Sequence, residues 1–406
     1  MISSLRQTYN AAFTPDRYQA MIAGIHADLP GQLDFRVAET PIFVPKALAD
    51  KIFSACDSIV AVLTDGTLKA RTEAAIPPGQ NVPNEDDHAQ FLAIDFAVCR
   101  NAETGELEPQ LIELQGFPSL YGFQAYLPQQ FRKFFPIPET VRAVFNVNGA
   151  DDYVKKLRDV IVGDCDPEQV ILLEIYPEKQ KTRIDFELTR RHLSVAPVCL
   201  TKIKKQGRKL FYEKDGRLIQ IKRIYNRLIF DELQQKYPDL KTEFSLTDDV
   251  DVTWVGHPNW FFRISKYALP LLSSPGLASR YVPPSHYLSD LETYPADLDN
   301  YVLKPLFSFA GAGVKLNITP ADLDAIPASE RGNFLIQRKV QYEPVIQAVD
   351  GGLVKCEIRM LFVWPEHDST PTLITNLGRL SRGAMIGVDF NKNFDWVGGT
   401  VCFFEQ

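Results

Sequence analysis

The 406 residues contain no apolar run of the roughly eighteen that a membrane-spanning helix requires. Cysteine is scarce: Cys56, Cys99, Cys165, Cys199, Cys356 and Cys402 lie far apart, with no CxxC pair. That excludes a clustered thiolate metal site and argues against a disulfide framework in so long a chain. The expectation is reduced thiols that pack as small hydrophobes. The six histidines show no HxxxH or paired spacing for zinc, and no GxSxG elbow or Cys/His pairing supports a covalent nucleophile. Excess positive charge is missing too. Forty-four Lys and Arg against 51 Asp and Glu leave a net charge of -7, which excludes a general nucleic-acid binder. It leaves room for a small anion in a local basic pocket. The segment MISSLRQTYNAAF is polar where a signal peptide has its apolar core, so a cytoplasmic location is expected.

What is present is ordinary globular material, 45% hydrophobic and 23% charged, in a chain long enough for two or three domains. Three regions differ in texture. In 1–150, ALADKIFSACDSIVAVL has helical spacing, and FLAIDFAV and PQLIELQGF flank a turn-forming Asn101–Gly105 stretch, which predicts a β-hairpin or adjacent antiparallel strands. Region 151–250 reads as a small α/β unit. VILLEIY is a strand, QKTRIDFELTRRHL a helix and APVCL a strand. KLFYEKDGRLIQIKRIYNRL predicts two strands around Asp215-Gly216, with Tyr225-Asn226-Arg227 expected at the hairpin end and a substrate-cleft lining as the alternative. In 251–406, HPNWFFRISKYALPLL predicts a helix and VPPSHYL an extended link. YVLKPL, FLIQRKV, KCEIRMLFVW, TLITNLGRLS and TVCFFE predict strands.

Two constellations carry chemistry. In YVLKPLFSFAGAGVKL a strand delivers Lys304, Pro305 fixes the exit, and Gly311 and Gly313 form a loop of little bulk. Such a loop lets backbone N–H groups approach phosphate oxygens while a lysine supplies a point charge; a plain hairpin turn is the alternative. It is neither a Walker loop nor a GxGxxG turn. Upstream, Asp95 lies inside an apolar strand, and Glu113 and Gln115 stand at i, i+2, so both point to one face. If the strands are neighbours, three oxygen-bearing side chains converge as magnesium would accept. An ion pair from each carboxylate to Arg or Lys is the alternative.

Joined, these pieces resemble the ATP-grasp carboxylate–amine ligases. There, a strand ending in Lys-Pro leads to a glycine loop and an adenine-holding hinge strand, and an Asp strand and a Glu-x-Asn strand for magnesium follow. LKPLFSFAGAGV resembles the first two, LIQRKV the hinge, and IDFAV with IELQGFPS the last two. Here the metal strands precede the lysine strand, an order that resembles the circularly permuted branch of glutathione synthetase and glutathionylspermidine-synthase-like proteins. The resemblance covers about 85–125 and 255–405.

It implies an α+β, ATP-grasp fold with permuted motif order and an inserted small α/β domain. Region 1–150 would carry the metal strands, 151–250 a substrate domain, and 251–406 the lysines, glycine loop and hinge. It further implies that ATP is bound by Lys266, Lys304, Ser308, Gly311 and Gly313 and by the hinge Gln337, Arg338, Lys339 and Val340. Mg2+ would be bound by Asp95, Glu113 and Gln115. Two departures stand out: Gln115 replaces the usual asparagine, and Ser308 stands where glutathione synthetases carry a metal-binding Glu. Glu357 and Arg359 share a strand face, as a charged pocket lining or as solvated surface charges. The resemblance places an arginine near the acyl substrate, with Arg382 or Arg379 the candidates beside Arg359. The implied activity is ligation of a small-molecule carboxylate and an amine through an acyl phosphate, with a homodimer unsurprising. A nucleotide-binding module without turnover, acting as sensor or partner subunit, is the rival.

Overall fold

The computed structural model describes all residues except 277, 279, 308–312, 384, 385 and 387–390, and the side chains at 231 and 232. The fold is mixed α+β. Its largest sheet is antiparallel and takes strands from both ends of the chain. The order is Gly398–Thr400, Thr372–Ser381, Leu353–Val363, Phe91–Arg100, Leu107–Gln115, with Ile346–Gln347 paired beside Leu353. The expected hairpin of Phe91–Arg100 and Leu107–Gln115 is present, its two strands joined across the Asn101–Gly105 turn.

Alternation sorts the two faces of this sheet. Ile94, Phe96, Leu111, Leu114, Ile358 and Met360 enter the main core, which the helix Lys46–Leu63 also lines through Leu48, Ile52, Ala55, Ile59 and Leu63. On the opposite face, Phe91, Ala93, Leu361 and Val363 pack against Tyr121, Tyr153, Leu172 and Tyr225 of the helices and strands that follow. The charged residues of interest sit on this second face.

The region 151–250 builds three strands of a parallel sheet whose edge is Thr253–Val255 from the following region, in the order Thr253–Val255, Arg223–Asn226, Val170–Glu174, Ala196–Cys199. Asp215 and Gly216 turn the Lys209–Lys214 and Arg217–Ile221 hairpin with φ of 50° and 72°, the conformation of a two-residue primed turn. The expected second hairpin strand breaks at Lys222. Arg223–Asn226 leaves the hairpin for the parallel sheet, so Tyr225-Asn226-Arg227 is buried and is no hairpin end. A three-stranded antiparallel sheet, Ser285–Tyr287, Phe334–Arg338 and Tyr301–Pro305, closes over its own small core of Leu288, Leu303, Ile318 and Ile336.

Two further expectations change. HPNWFFRISKYALPLL is not one helix. The helix Pro258–Arg263 ends, Ser265 caps a one-turn 3-10 helix Lys266–Ala268, and Leu269–Ser273 follows with Pro270 in its first turn. VPPSHYL is more than a link, because Ser285–Tyr287 pairs with Phe334–Arg338. All six cysteines are unpaired, five of them buried. No helix among the described residues is long and apolar enough to cross a membrane.

Candidate functional site

Register places Asp95, Glu113, Gln115, Glu357, Arg359 and Arg379 on one face of the large sheet. Arg379 stands opposite Glu357, Arg359 opposite Asp95, Asp95 opposite Glu113, and Ala93 opposite Gln115. Glu357 and Arg359 are 3% and 7% exposed, so they are buried and are not solvated surface charges.

Asp95 is fully buried, and both of its oxygens are occupied. Arg359 donates from Nε to one and from Nη2 to the other, each at 2.6 Å, and Arg379 adds a further short contact. Arg359 also donates to Ser119 Oγ at 3.1 Å, while Arg379 bridges on to Glu357, which accepts from the Tyr342 hydroxyl at 3.2 Å. Burial alone would raise the Asp95 carboxyl, but the two guanidiniums outweigh it and hold it below the ordinary value. For Glu357 the balance reverses. Burial, with the Asp95 charge beside it, pushes it up despite Arg379 and Arg359. A cation could reach Asp95 only by displacing an arginine.

Glu113 differs. No hydrogen bond or ion pair to its carboxylate occurs among the described residues. With Gln115 beside it, Glu113 offers the oxygen set that fits magnesium, which keeps several waters and asks for one or two carboxylates.

The two expected lysines approach this carboxylate from other elements. Lys304 shares a sheet face with Gln337, and its Nζ donates to Gln337 Oε1 at 2.6 Å and to the Ile112 carbonyl at 3.4 Å. Burial and then the neighbouring Lys266 push Lys304 down to about 8, against the pull of Glu113 and Glu357. Lys266, 6% exposed, stands on the turn after Pro258–Arg263. That turn is tied to the metal strand, because Gly116 N–H donates to the Ile264 carbonyl at 2.8 Å. A small cavity of about 30 Å³, lined by Glu113, Gln115, Ser265, Lys266, Leu306 and Phe307, lies where these elements meet. That is room for about one water, whereas ligand pockets run to roughly 300 Å³ and beyond.

The other expected residues are placed as follows. Gly313 has φ of 72°, and a Cβ there would meet Pro305 Cγ at 2.8 Å. Ser308 and Gly311 lie outside the described residues. Lys339 Nζ donates to the Asp299 carbonyl at 2.6 Å, and Val340 follows the end of the hinge strand. The backbone N–H groups of Arg338 and Lys339 are taken by the carbonyls of Pro284 and Asn300. Arg382 forms a two-point pair with Asp350 at 2.7 and 2.9 Å and does not join the Asp95 cluster, whereas Arg359 and Arg379 do.

Sequence reasoning missed Gly116, Ser119 and Tyr342. It also missed the network in which Arg263 reaches Glu85 and Glu73, and Asn259 reaches Val82 and Glu85. Only Gly116 carried a local signal, a glycine directly after a strand. It missed a buried pair at the carboxyl ends of the parallel strands as well. There Arg227 donates to Asp185 at 2.7 Å, and Asp185 accepts from Phe123 N–H at 2.9 Å.

No family model matches the chain, and no curated protein matches it in sequence. Among solved structures the mixed α+β arrangement is found in a protein of the glutathione synthetase-like kind. That protein is a glutathione synthetase-like effector from Globodera pallida, solved in its apo form. It is 11% identical to this chain, with 96% of each chain covered and a TM-score of 0.62. At that identity the likeness is one of fold.

Proposed function

We propose that the chain is an ATP- and magnesium-dependent carboxylate–amine ligase of ATP-grasp type with its motifs in circularly permuted order. The single observation that carries this reading is the convergence of Lys266, Lys304, Arg359 and Arg379 on the face that holds Glu113. Four cations there meet the carboxylates of Asp95, Glu113 and Glu357, and burial pushes Glu357 toward its neutral form. Such a concentration of cations suits a polyanion. The glutathione synthetase-like fold of the structural neighbour supports the same class.

In this reading Lys304 and Lys266 bind phosphate oxygens, and Arg379, the more exposed of the two cluster arginines, orients the substrate carboxylate. Glu113 and Gln115 would hold Mg2+, which when bound supplies neutralisation of phosphate charge. Asp95 fixes the arginines and is no ligand. Transfer of the γ-phosphoryl to a carboxylate gives an acyl phosphate, which an amine attacks with release of phosphate. The work of the protein is positioning and electrostatics in a site closed to water. Admitting the nucleotide requires the space around the small cavity to open.

One observation favours a second reading. Asp95 is committed to arginines and Gln115 replaces asparagine, which suits a nucleotide-binding module without turnover. Thermal unfolding with ATP, with and without magnesium, tests what both readings share. A ligand that binds only the folded state at a hundredfold excess over Kd stabilises by about 2.7 kcal/mol. A magnesium-dependent shift is expected, and its absence at millimolar ATP overturns both readings. ADP release across a panel of acids and amines then separates ligase from module.

A further inference from the structure

The hairpin Lys209–Lys214 and Arg217–Ile221 is joined by a third antiparallel strand, Lys204–Gln206, and the three form a small sheet of their own. Its inner face is filled: Leu210, Tyr212 and Ile221 are buried in a core with Leu173 and Ile224, and Ile219 packs against it. Alternation turns Lys204, Lys209, Phe211, Glu213, Leu218 and Gln220 to the outer face. There Leu218 is 45% exposed, and Phe211, partly exposed, joins none of the buried cores. Arg217–Ile221 is also an open edge. The two-residue turn makes Lys214 and Arg217 a hydrogen-bonded pair, so the N–H and C=O groups of Leu218 and Gln220 point away from Lys209–Lys214. No hydrogen bond to these four groups occurs among the described residues. The opposite edge is covered, since Glu243 accepts from Lys205 N–H and Asp251 N–H donates to the Arg208 carbonyl.

Charge marks the same place. The stretch 202–223 carries nine Lys and Arg against two acidic residues, in a chain of net charge -7. Six of the nine lie within 4.0 Å of a carboxylate, whereas Lys202, Lys209 and Lys222 are exposed and make no ion pair among the described residues. Lys209 and Lys222 flank the Leu210–Ile221 pair at one end of the open edge, with Arg217 at the other. We infer that the Arg217–Ile221 edge binds an extended acidic peptide, which adds to the sheet as a fourth strand. The outward N–H and C=O groups supply main-chain hydrogen bonds, Leu218 an apolar contact, and Lys222, with Lys209 behind it, selects carboxylates. A second copy of the chain fits poorly. Two such edges paired antiparallel about Ile219 would set Arg217 of one near Lys222 of the other. Single-stranded nucleic acid asks for several stacking rings, and Phe211 is the one aromatic side chain among the described residues of this face.

The test is fluorescence anisotropy, at low salt, of short labelled probes titrated with the full chain. One peptide alternates Glu with Val, a second has Lys for every Glu, and a third is the Glu–Val peptide N-methylated at every interior residue. A short oligothymidine is the fourth probe. The Glu–Val peptide is expected to bind about tenfold or more tightly than the other three, with affinity that falls as salt rises. Lys209→Glu combined with Lys222→Glu should weaken it by about fivefold or more. Gln220→Pro removes one outward donor at no cost to the hairpin ladder and should weaken it likewise, with circular dichroism as the check on folding. No saturable binding of the Glu–Val peptide overturns the inference. So does equal binding of the N-methylated peptide, which would mean attraction by charge alone, and so does equal or tighter binding of the Lys peptide or the oligothymidine. Sedimentation velocity adds one more outcome: a dimer that the double lysine variant converts to monomer would give the edge to a second copy and overturn the inference too.

Discussion

Arg359 and Asp95, 264 positions apart in the chain, lie side by side with two parallel hydrogen bonds of 2.6 Å. Because both are buried, the pair is expected to hold the site together more than it holds the fold: a hydrophobic pair of similar volume could match it, but neither partner can be lost alone. Asp95→Asn therefore leaves Arg359 with an uncompensated buried charge, while Arg379 keeps Glu357, and a loss of about 3–5 kcal/mol is expected in urea unfolding. A loss below about 1 kcal/mol would show that water reaches the cluster and relieves it.

Gly116 has its own consequence. A Cβ there would stand 2.6 Å from the Trp260 carbonyl oxygen and 2.9 Å from Ile264 Cβ, so backbone must shift. Gly116→Ala should cost about 1–3 kcal/mol. It should also weaken nucleotide binding, since the displaced segment carries Lys266 two residues after Ile264. Gly332→Ala, where the added methyl meets nothing within 4 Å, is the control and should change neither.

Much of this site was legible because strands report their faces. The alternation in FLAIDFAV and LIELQ put Glu113 and Gln115 on one face, and the Lys-Pro strand could be read from its bounding residues. The Asp215-Gly216 turn announced its hairpin for the same local reason. What pairs across the chain could not be read. Nothing near Asp95 says that its counter-ions are Arg359 and Arg379, and nothing near Val44 says that Ile42–Val44 lies parallel to Cys402–Glu405. The segment after His257 misled because its apolar spacing is helical, whereas the Ser265 cap and Pro270 break it into pieces that set Lys266 on a turn.

Asp86 predicts a slope of stability with pH. Burial, helped by Glu85 and Glu366, pushes its carboxyl from 3.8 up to about 7, despite a short hydrogen bond from Gln90. Between those values the folded chain keeps a proton that the unfolded chain releases, so stability falls as pH rises through the window. The contribution is fully present below pH 3.8 and gone above about 7. Asp86→Asn removes it, so the difference between variant and parent unfolding free energies should change across this window and be flat above it. Glu357 adds a similar slope to both proteins and cancels in that difference. A difference that is constant with pH would mean that Asp86 is ionised throughout.

Lys304 makes two slopes run in opposite directions. Burial and Lys266 lower it from 10.5 to about 8, so between those values the unfolded chain binds a proton that the folded chain lacks. Stability should therefore rise with pH across that interval. Phosphate binding needs the charged lysine, so magnesium–nucleotide affinity should fall as pH rises through about 8, by at most about tenfold per pH unit for one proton. Lys304→Met should remove both slopes together with most of the affinity. Glu113→Ala gives the complementary result. Its side chain has no described partner, so the fold should survive, while the magnesium dependence of nucleotide binding is lost. Affinity that is flat from pH 7 to 10 would mean that the phosphates are held by the arginines, and that Lys304 serves only to orient Gln337.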